Sequence, residues 1–226
     1  MRDLIFVGAG RGIRRALLTA FAAAVCLAAP WSFAAPVLGP HHQALQRNAA
    51  SDSVRALASH VVGTADNGGR PWAVVDKFNA RLFVFAPDGR LLGATPALLG
   101  QARGDFSAPG VGRKAASYIP PEERTTHAGR FTSRPGRNLE GEAVVWVDHT
   151  AAVAIHRLRP APAHERRPQR LASATSQDNR ITLGCVVVSG RFYDDVVAPV
   201  LGEHFGVVYV LPESGHWQAL FADSVL

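Results

Sequence analysis

The stretch that decides this fold reads Asn179-Arg180-Ile181-Thr182-Leu183-Gly184-Cys185-Val186-Val187-Val188. The apolar run after the cysteine predicts a buried strand, and the glycine before it predicts a turn where a second backbone or a substrate comes close. Such a turn would hold the thiol rigidly at the start of the strand. The consecutive N–H groups of Leu183, Gly184 and Cys185 can point at one position, which is the geometry of an oxyanion hole.

Cys185 itself has two interpretations. A buried thiol usually packs as a small apolar side chain. However, the chain holds only two cysteines, and the other one, Cys26, lies in the apolar part of a predicted signal peptide. A single cysteine left in an exported protein is either reactive or paired with another chain, and this favours Cys185 as a nucleophile.

Residues 1–34 are predicted to be a secretory signal peptide. Three arginines between residues 11 and 15 precede an apolar run from Ala16 to Ala29, and Ser32-Phe33-Ala34 has the pattern of a cleavage site. An uncleaved membrane anchor is the alternative, but the run is shorter than the roughly 20 residues that span a bilayer. We therefore expect an exported protein of the periplasm or cell envelope.

The composition of the chain limits the kinds of molecule that it is expected to bind. A chain of 226 residues with 47% hydrophobic and 19% charged residues fits one globular domain plus a processed end. The net charge of +6 becomes milder once the signal peptide is removed, and no dense Lys/Arg block with aromatics remains, so nucleic acid is not expected as a partner. No His/Asp/Glu group has metal-site spacing, so neither a metal nor another cofactor is expected.

Residues 35–69 connect the signal peptide to the domain. Apolar residues recur there at helical spacing and predict an amphipathic helix centred on residues 51–62, with Ser51 or Ser53 as its N-cap. The apolar residues concerned are Leu45, Val54, Leu57, Ala58 and Val61. A flexible linker is the alternative.

From residue 70 the pattern is that of a β-rich domain followed by a tail at 213–226. Strands are predicted over 72–77, 80–85, 90–99, 129–133, 143–148, 151–156 and 206–211. Residues 101–124 form a long loop that we expect to border the site. The arginine-rich segment 157–177 is interpreted as a surface excursion, either a solvated face or an anion site. After the cysteine turn, Ser189 is predicted to cap a short helix.

A cysteine nucleophile needs a base within hydrogen-bond reach. His156 is the best candidate among the nine histidines because it ends the apolar strand Val153-Ala154-Ile155. His149 is the fallback, since the neighbouring Asp148 could orient its imidazole. His127 is interpreted as incidental.

Thr182, Gly184 and Cys185 match the Ser/Thr-x-Gly-Cys turn of the L,D-transpeptidases of the YkuD type, which this chain resembles over roughly residues 70–212. The hairpin at 72–85, the segment 126–131 and the Ile155-His156 pair are also similar. The resemblance implies a mainly β, YkuD-like sandwich or barrel of mixed strands. A short helix follows the cysteine turn in that fold, and here an N-terminal helix would precede it.

The resemblance also implies an activity, that of a cysteine-dependent peptidoglycan L,D-transpeptidase. Cys185 would take an acyl group from a stem tetrapeptide as a thioester, and an amine or water would resolve it, giving a cross-link or L,D-carboxypeptidase activity. His156 would act as base and then acid, the turn at Leu183 and Gly184 would hold the oxyanion, and Thr182 and Arg180 would contact the substrate. Carbapenem-type β-lactams are expected inhibitors.

Two other functions stay open at this point. Leu183 replaces a histidine common in that family, Val187 replaces an asparagine or arginine, and the stretch from His156 to Thr182 is longer than usual. These departures fit a catalytically weakened YkuD-like domain that binds cell-wall peptide without turnover. The third hypothesis is an unrelated secreted β protein with an inert thiol.

Overall fold

The structure is a computed structural model that describes residues 40–214 and 216–222. The signal peptide predicted over residues 1–34 lies outside the described residues. The helices are α1 Pro40–Arg47, α2 Asp52–Thr64, α3 Arg167–Leu171, α4 Gly190–Phe192, α5 Ala198–Leu201 and α6 Gln218–Ala222. The strands are β1 Trp72–Asp76, β2 Arg81–Phe85, β3 Leu91–Pro96, β4 Leu99–Gly100, β5 Gly129–Arg137, β6 Ala143–Asp148, β7 Val153–Arg157, β8 Arg180–Thr182, β9 Val186–Val188 and β10 Gly206–Val210.

Eight of the strands form one mixed sheet in the order β3-β2-β1-β10-β5-β6-β7-β9, and β4 pairs with β8 in a small second sheet. Neighbours in the large sheet are antiparallel except for β1 beside β10 and β7 beside β9, which are parallel. The prediction of a mainly β fold with mixed strands is confirmed.

The large sheet buries side chains on both faces. In β1, Ala73 and Val75 belong to the main core, whereas Trp72 and Val74 pack on the opposite face together with residues of α2. This double burial explains why the strand reads as a continuous apolar run.

The predicted helix over 51–62 is confirmed as α2, and these residues are not a flexible linker. The hydroxyl of Ser51 accepts a hydrogen bond from the Val54 N–H at 3.3 Å and caps the helix. Leu57 and Val61 are fully buried against the sheet. Residues Ser189 to Leu201 also match their prediction, because Ser189 caps α4 and a π-helical turn, Tyr193–Val197, joins α4 to α5.

Two segments differ from their predictions. The strand predicted over 90–99 is divided into β3 and β4, because the chain leaves β2 after β3 and Leu98 pairs with Val187 of β9, its N–H donating to the Val187 carbonyl at 2.8 Å. The arginine-rich excursion contains a short helix, α3, which was not predicted. The loop over 101–124 contains three short 3-10 helices, Val111–Arg113, Ala116–Tyr118 and Pro121–Glu123.

None of the helices in the described part of the chain has the length and apolar character needed to cross a membrane.

Candidate active site

Cys185 lies in the turn between β8 and β9 and carries a free, half-buried thiol. The turn is closed by Thr182, whose hydroxyl donates to the Cys185 carbonyl at 2.7 Å and accepts from the Gly184 N–H at 3.2 Å. Thr182 is buried, so these two bonds hold the turn away from solvent. The threonine of the signature therefore orders the nucleophile's backbone.

Position 184 requires glycine, because of its backbone conformation and because of the atoms that surround it. Its φ is +136°, and a Cβ atom built on it would lie 2.9 Å from the Thr125 carbonyl oxygen. Thr126 donates a hydrogen bond from its hydroxyl to the Gly184 carbonyl at 2.7 Å and accepts one from Gly100 N–H at 2.9 Å. The close approach expected from the sequence is thus an approach of protein backbone.

His156 lies in β7 opposite Val187 of β9. Its Nδ1 is 2.8 Å from the Arg157 carbonyl oxygen. A carbonyl only accepts, so Nδ1 carries the proton and Nε2 is left as a hydrogen-bond acceptor. Burial lowers the pKa of the imidazole, partly opposed by the Arg157 carbonyl bond. These effects favour a neutral ring whose Nε2 is unprotonated and can accept a proton.

Cys185 and His156 lie on the same face of two neighbouring strands. Ile155 and Val186 are register partners and both belong to the main core, so His156 and Val187 face the other way. Cys185, two residues before Val187, shares that face and packs against the small cluster to which Val187 belongs. Strand spacing puts the Cα atoms of Cys185 and His156 about 8 Å apart, within reach of their side chains.

The thiol has a different partner in this structure. Its sulfur lies 3.6 Å from the Ala152 carbonyl oxygen, to which it donates. Burial raises the pKa of the thiol, whereas a hydrogen bond with the Ala154 backbone and the positive charge of Arg159 lower it. The resting state is therefore a protonated thiol, and reaction requires a base to remove the proton.

Arg180, predicted to contact substrate, is buried in an ion cluster. Its guanidinium contacts the Glu213 carboxylate at 3.0 Å and donates to the Lys77 carbonyl at 2.8 Å. The ammonium of Lys77, fully buried, lies 2.6 Å from an Asp105 carboxylate oxygen. The cluster ties the loop over 101–124 to β8, and these contacts account for Arg180. A role in substrate binding stays a prediction.

The expected pairing of Asp148 with His149 is wrong. Asp148 instead contacts His127, with 3.0 Å between its carboxylate and the His127 Nε2, while His149 packs edge-on against Trp146. His127 is only 8% exposed, and its Nδ1 is buried with no hydrogen-bond partner. The other carboxylate oxygen of Asp148 accepts from Thr150 N–H at 2.8 Å, in the turn that leads to Ala152. No local sequence pattern links residues 21 positions apart, so this pair could not be predicted.

The two positions at which the sequence departs from the YkuD-type pattern, Leu183 and Val187, have apolar side chains. Leu183 is 38% exposed at the tip of the turn, and Val187 is buried against Leu98 and Leu171. Val187 therefore belongs to an apolar cluster, although many members of the family that this chain resembles have a polar residue at the same position. Within residues 40–214 and 216–222, no group of three or more His, Cys, Asp or Glu side chains is arranged to hold a metal ion.

Comparisons with known proteins give distant similarities. No family model matches the chain. The bifunctional purine biosynthesis proteins PurH of Brucella anthropi and Brucella ovis are each 26% identical over 164 residues, an alignment that covers 67% of this chain but 30% of theirs. A solved structure of the LD transpeptidase LdtMt1 in complex with imipenem aligns with a TM-score of 0.36 and 17% identity, covering 62% of this chain and 58% of that one. These similarities do not assign a family.

Proposed function

We propose that the chain is an exported peptidoglycan L,D-transpeptidase that works through a thioester on Cys185. The observation that carries the proposal is the placement of Cys185 and His156 on one face of adjacent parallel strands, next to a turn that only glycine can complete. A thiol and a neutral imidazole held by strands are the parts that nucleophilic acyl transfer needs. The Thr-x-Gly-Cys signature of the turn supports this class of reaction.

The proposed first step is acylation of the thiol. Nε2 of His156 takes the proton as the thiol turns from Ala152 toward the ring, and the sulfur attacks the carbonyl carbon that follows the L-centre of the diaminoacyl residue in a stem tetrapeptide. The amide C–N bond breaks, and D-alanine leaves with the proton that His156 returns to its nitrogen. The product is a thioester on Cys185.

The second step resolves the thioester. An amine of a neighbouring stem attacks the same carbonyl carbon and gives its proton to His156, after which the C–S bond breaks and a new amide is formed. The proton then returns to the thiolate. Water in place of the amine gives a free carboxylate, which is L,D-carboxypeptidase activity.

Both steps place negative charge on the carbonyl oxygen, and donors aimed at that position supply much of the rate in acyl transfer. Gly184 N–H is directed at the Thr182 hydroxyl. The N–H groups of Leu183 and Cys185 donate to no other group among the turn and loop hydrogen bonds of the described residues. We assign those two N–H groups to the oxyanion.

A second candidate is a domain that binds cell-wall peptide without turnover. It is favoured by the resting thiol, which donates to Ala152 and not to His156, and by the burial that raises the pKa of Cys185. Val187 also places an apolar side chain on the face beside the thiol. The two candidates share the site and differ in whether the thiol is acylated.

The deciding experiment is intact-protein mass spectrometry of the chain from residue 35 onward, incubated with a carbapenem. The control is Cys185→Ala, and a second sample is treated with iodoacetamide to show that the thiol is accessible. An adduct on the parent alone is the expected result. If the thiol is alkylated and no carbapenem adduct forms, the enzyme proposal is wrong and the binding domain is favoured.

A further inference from the structure

The arginine-rich segment that follows β7 folds back onto the face that carries Cys185. Leu158, just after the strand, and Leu171, in α3, join the small apolar cluster that also contains Val187. Cys185 packs against the same cluster. The segment is therefore a neighbour of the thiol and not a distant surface excursion.

This segment encloses two adjoining grooves. One has a volume of about 290 Å³ and is lined by Arg159, Arg166, Arg167, Gln169 and the stretch from Pro160 to Ala163. The other has a volume of about 330 Å³ and shares Arg166 and Gln169 with the first. We call the first of these the arginine groove. Its lining holds three guanidinium groups and no carboxylate.

Carboxylates outside the lining hold two of these arginines in place. Arg159 contacts Glu140 at 2.9 Å and Glu142 at 2.5 Å, and Arg167 is paired with Glu165. These pairs restrict the two side chains to fixed positions, which lowers the entropy lost when a ligand binds. They also neutralise the positive charges of Arg159 and Arg167. An arginine of the groove without a carboxylate partner would therefore contribute most to the binding of an anion.

Arg166 is such an arginine. Its side chain is exposed and makes no hydrogen bond or ion pair with any described residue, and its backbone has a φ of +49°. A non-glycine residue is rarely held in this left-handed region, and such strain is concentrated at functional sites. Here the strained backbone places Arg166 between the two grooves.

The arginine groove is within electrostatic reach of the catalytic pair. The positive charge of Arg159 lowers the pKa of Cys185, and Arg159 and Arg167 both contribute to the lowered pKa of His156, whose main cause is burial. Two of the three arginines that line the groove therefore act on the charge of the catalytic pair. In a peptide that loses its last residue, the terminal carboxylate is one residue, about 3.5 Å, beyond the scissile bond.

We propose that the arginine groove, with Arg166 as its free guanidinium, binds a carboxylate of the peptide that acylates Cys185. This inference rests on the proposed function, because it assigns the specificity of that site. A guanidinium suits a carboxylate because its planar fork can donate two parallel hydrogen bonds. The longer stretch between His156 and Thr182 would then be a substrate-binding insertion.

Binding is measured first without turnover, by isothermal titration calorimetry on Cys185→Ala. The probes are a stem-type tetrapeptide with a free C-terminal carboxylate and the same peptide as its C-terminal amide. We expect the free acid to bind about tenfold more tightly, as one charge-assisted hydrogen bond would give. Adding Arg166→Glu should remove this difference, and Arg166→Lys should keep part of it. The control is Arg191→Ala, since Arg191 is exposed on α4 and, among the described residues, is paired with Asp195 alone.

The second readout is acylation of the thiol in the parent chain, which separates the two proposals. Arg166→Glu should raise the KM for the free acid about tenfold and leave kcat nearly unchanged. If acylation occurs and Arg166→Glu changes neither binding nor KM, the groove assignment is wrong while the proposed function stands. If Cys185→Ala shows the Arg166-dependent preference but the parent is never acylated, the groove is right and the enzyme proposal is wrong. Tighter binding of inorganic phosphate than of the free acid would overturn the carboxylate assignment.

Discussion

Replacing Gly184 by alanine would put a methyl group against the carbonyl oxygen of Thr125. The Cβ position is 2.9 Å from that oxygen, a distance that real Cβ atoms essentially never show, and the backbone φ of +136° is strained for any residue with a side chain. Both the turn and the segment Thr125–Thr126 would have to shift. The substitution therefore tests whether the turn has the geometry on which the site depends.

The expected loss can be estimated from two contributions. Holding an alanine in a backbone conformation reserved for glycine costs about 1–3 kcal/mol. A shift of the turn also weakens the buried hydrogen bond from Thr126 to the Gly184 carbonyl, which contributes about 0.5–1.5 kcal/mol. The free energy of unfolding should therefore fall by about 2–4 kcal/mol, and the melting temperature by about 5–15 °C for a domain of this size.

The assay is thermal unfolding followed by circular dichroism. Gly63→Ala is the matched control, because Gly63 lies in α2 with nothing within 4 Å of its Cβ position. That control should gain about 0.5–1 kcal/mol, as expected for glycine replaced in a helix. A Gly184→Ala protein that melts within 1–2 °C of the parent, roughly the scatter of such scans, would show that the described turn is wrong.

Three further predictions concern other parts of the structure. Burial is the main cause of the lowered pKa of His127 in the folded protein. The unfolded chain therefore binds more protons, and the free energy of unfolding should decrease as the pH falls below about 6.5. In urea titrations at pH 5 and pH 7, His127→Gln should show a smaller decrease than the parent. Lys77→Met should lower the free energy of unfolding by about 1.5–3 kcal/mol, because it leaves the partly buried carboxylate of Asp105 without its cation, whereas Glu213 keeps Arg180; an unchanged urea midpoint would contradict this. Ser51→Ala should cost about 1 kcal/mol through loss of the α2 cap, and Ser59→Ala on the same helix should not.

The sequence was sufficient where local patterns decide the structure. The hairpin of β1 and β2, the capped helix α2 and the turn before β9 all follow from periodicity, capping and glycine placement. Part of the candidate site follows as well, since a histidine at the end of one strand and a cysteine at the start of another were expected to meet. Their shared face, however, depends on the parallel register of β7 and β9, which no local pattern encodes.

The rest depended on contacts between distant residues. The break between β3 and β4 arises because Leu98 pairs with Val187, which lies far away in the sequence. The pairing of Asp148 with His127 likewise joins the end of β6 to the segment before β5. The resemblance implied that Arg180 contacts the substrate, and this stays a prediction. Its burial beside Glu213 comes from a part of the chain 33 residues away. Proximity in sequence was therefore a poor guide to the environment of charged residues.

The position of β10 has a consequence for how the protein is made. The last strand of the described residues, β10, lies between β1 and β5 and pairs in parallel with β1, Trp72 with Val207. While the chain is still leaving the ribosome, the two halves of the sheet have no strand to join them, and the facing edges of β1 and β5 are open. Such long-range pairing slows folding, and open edges invite association between chains. The large sheet can therefore be completed only after residue 210 has been added.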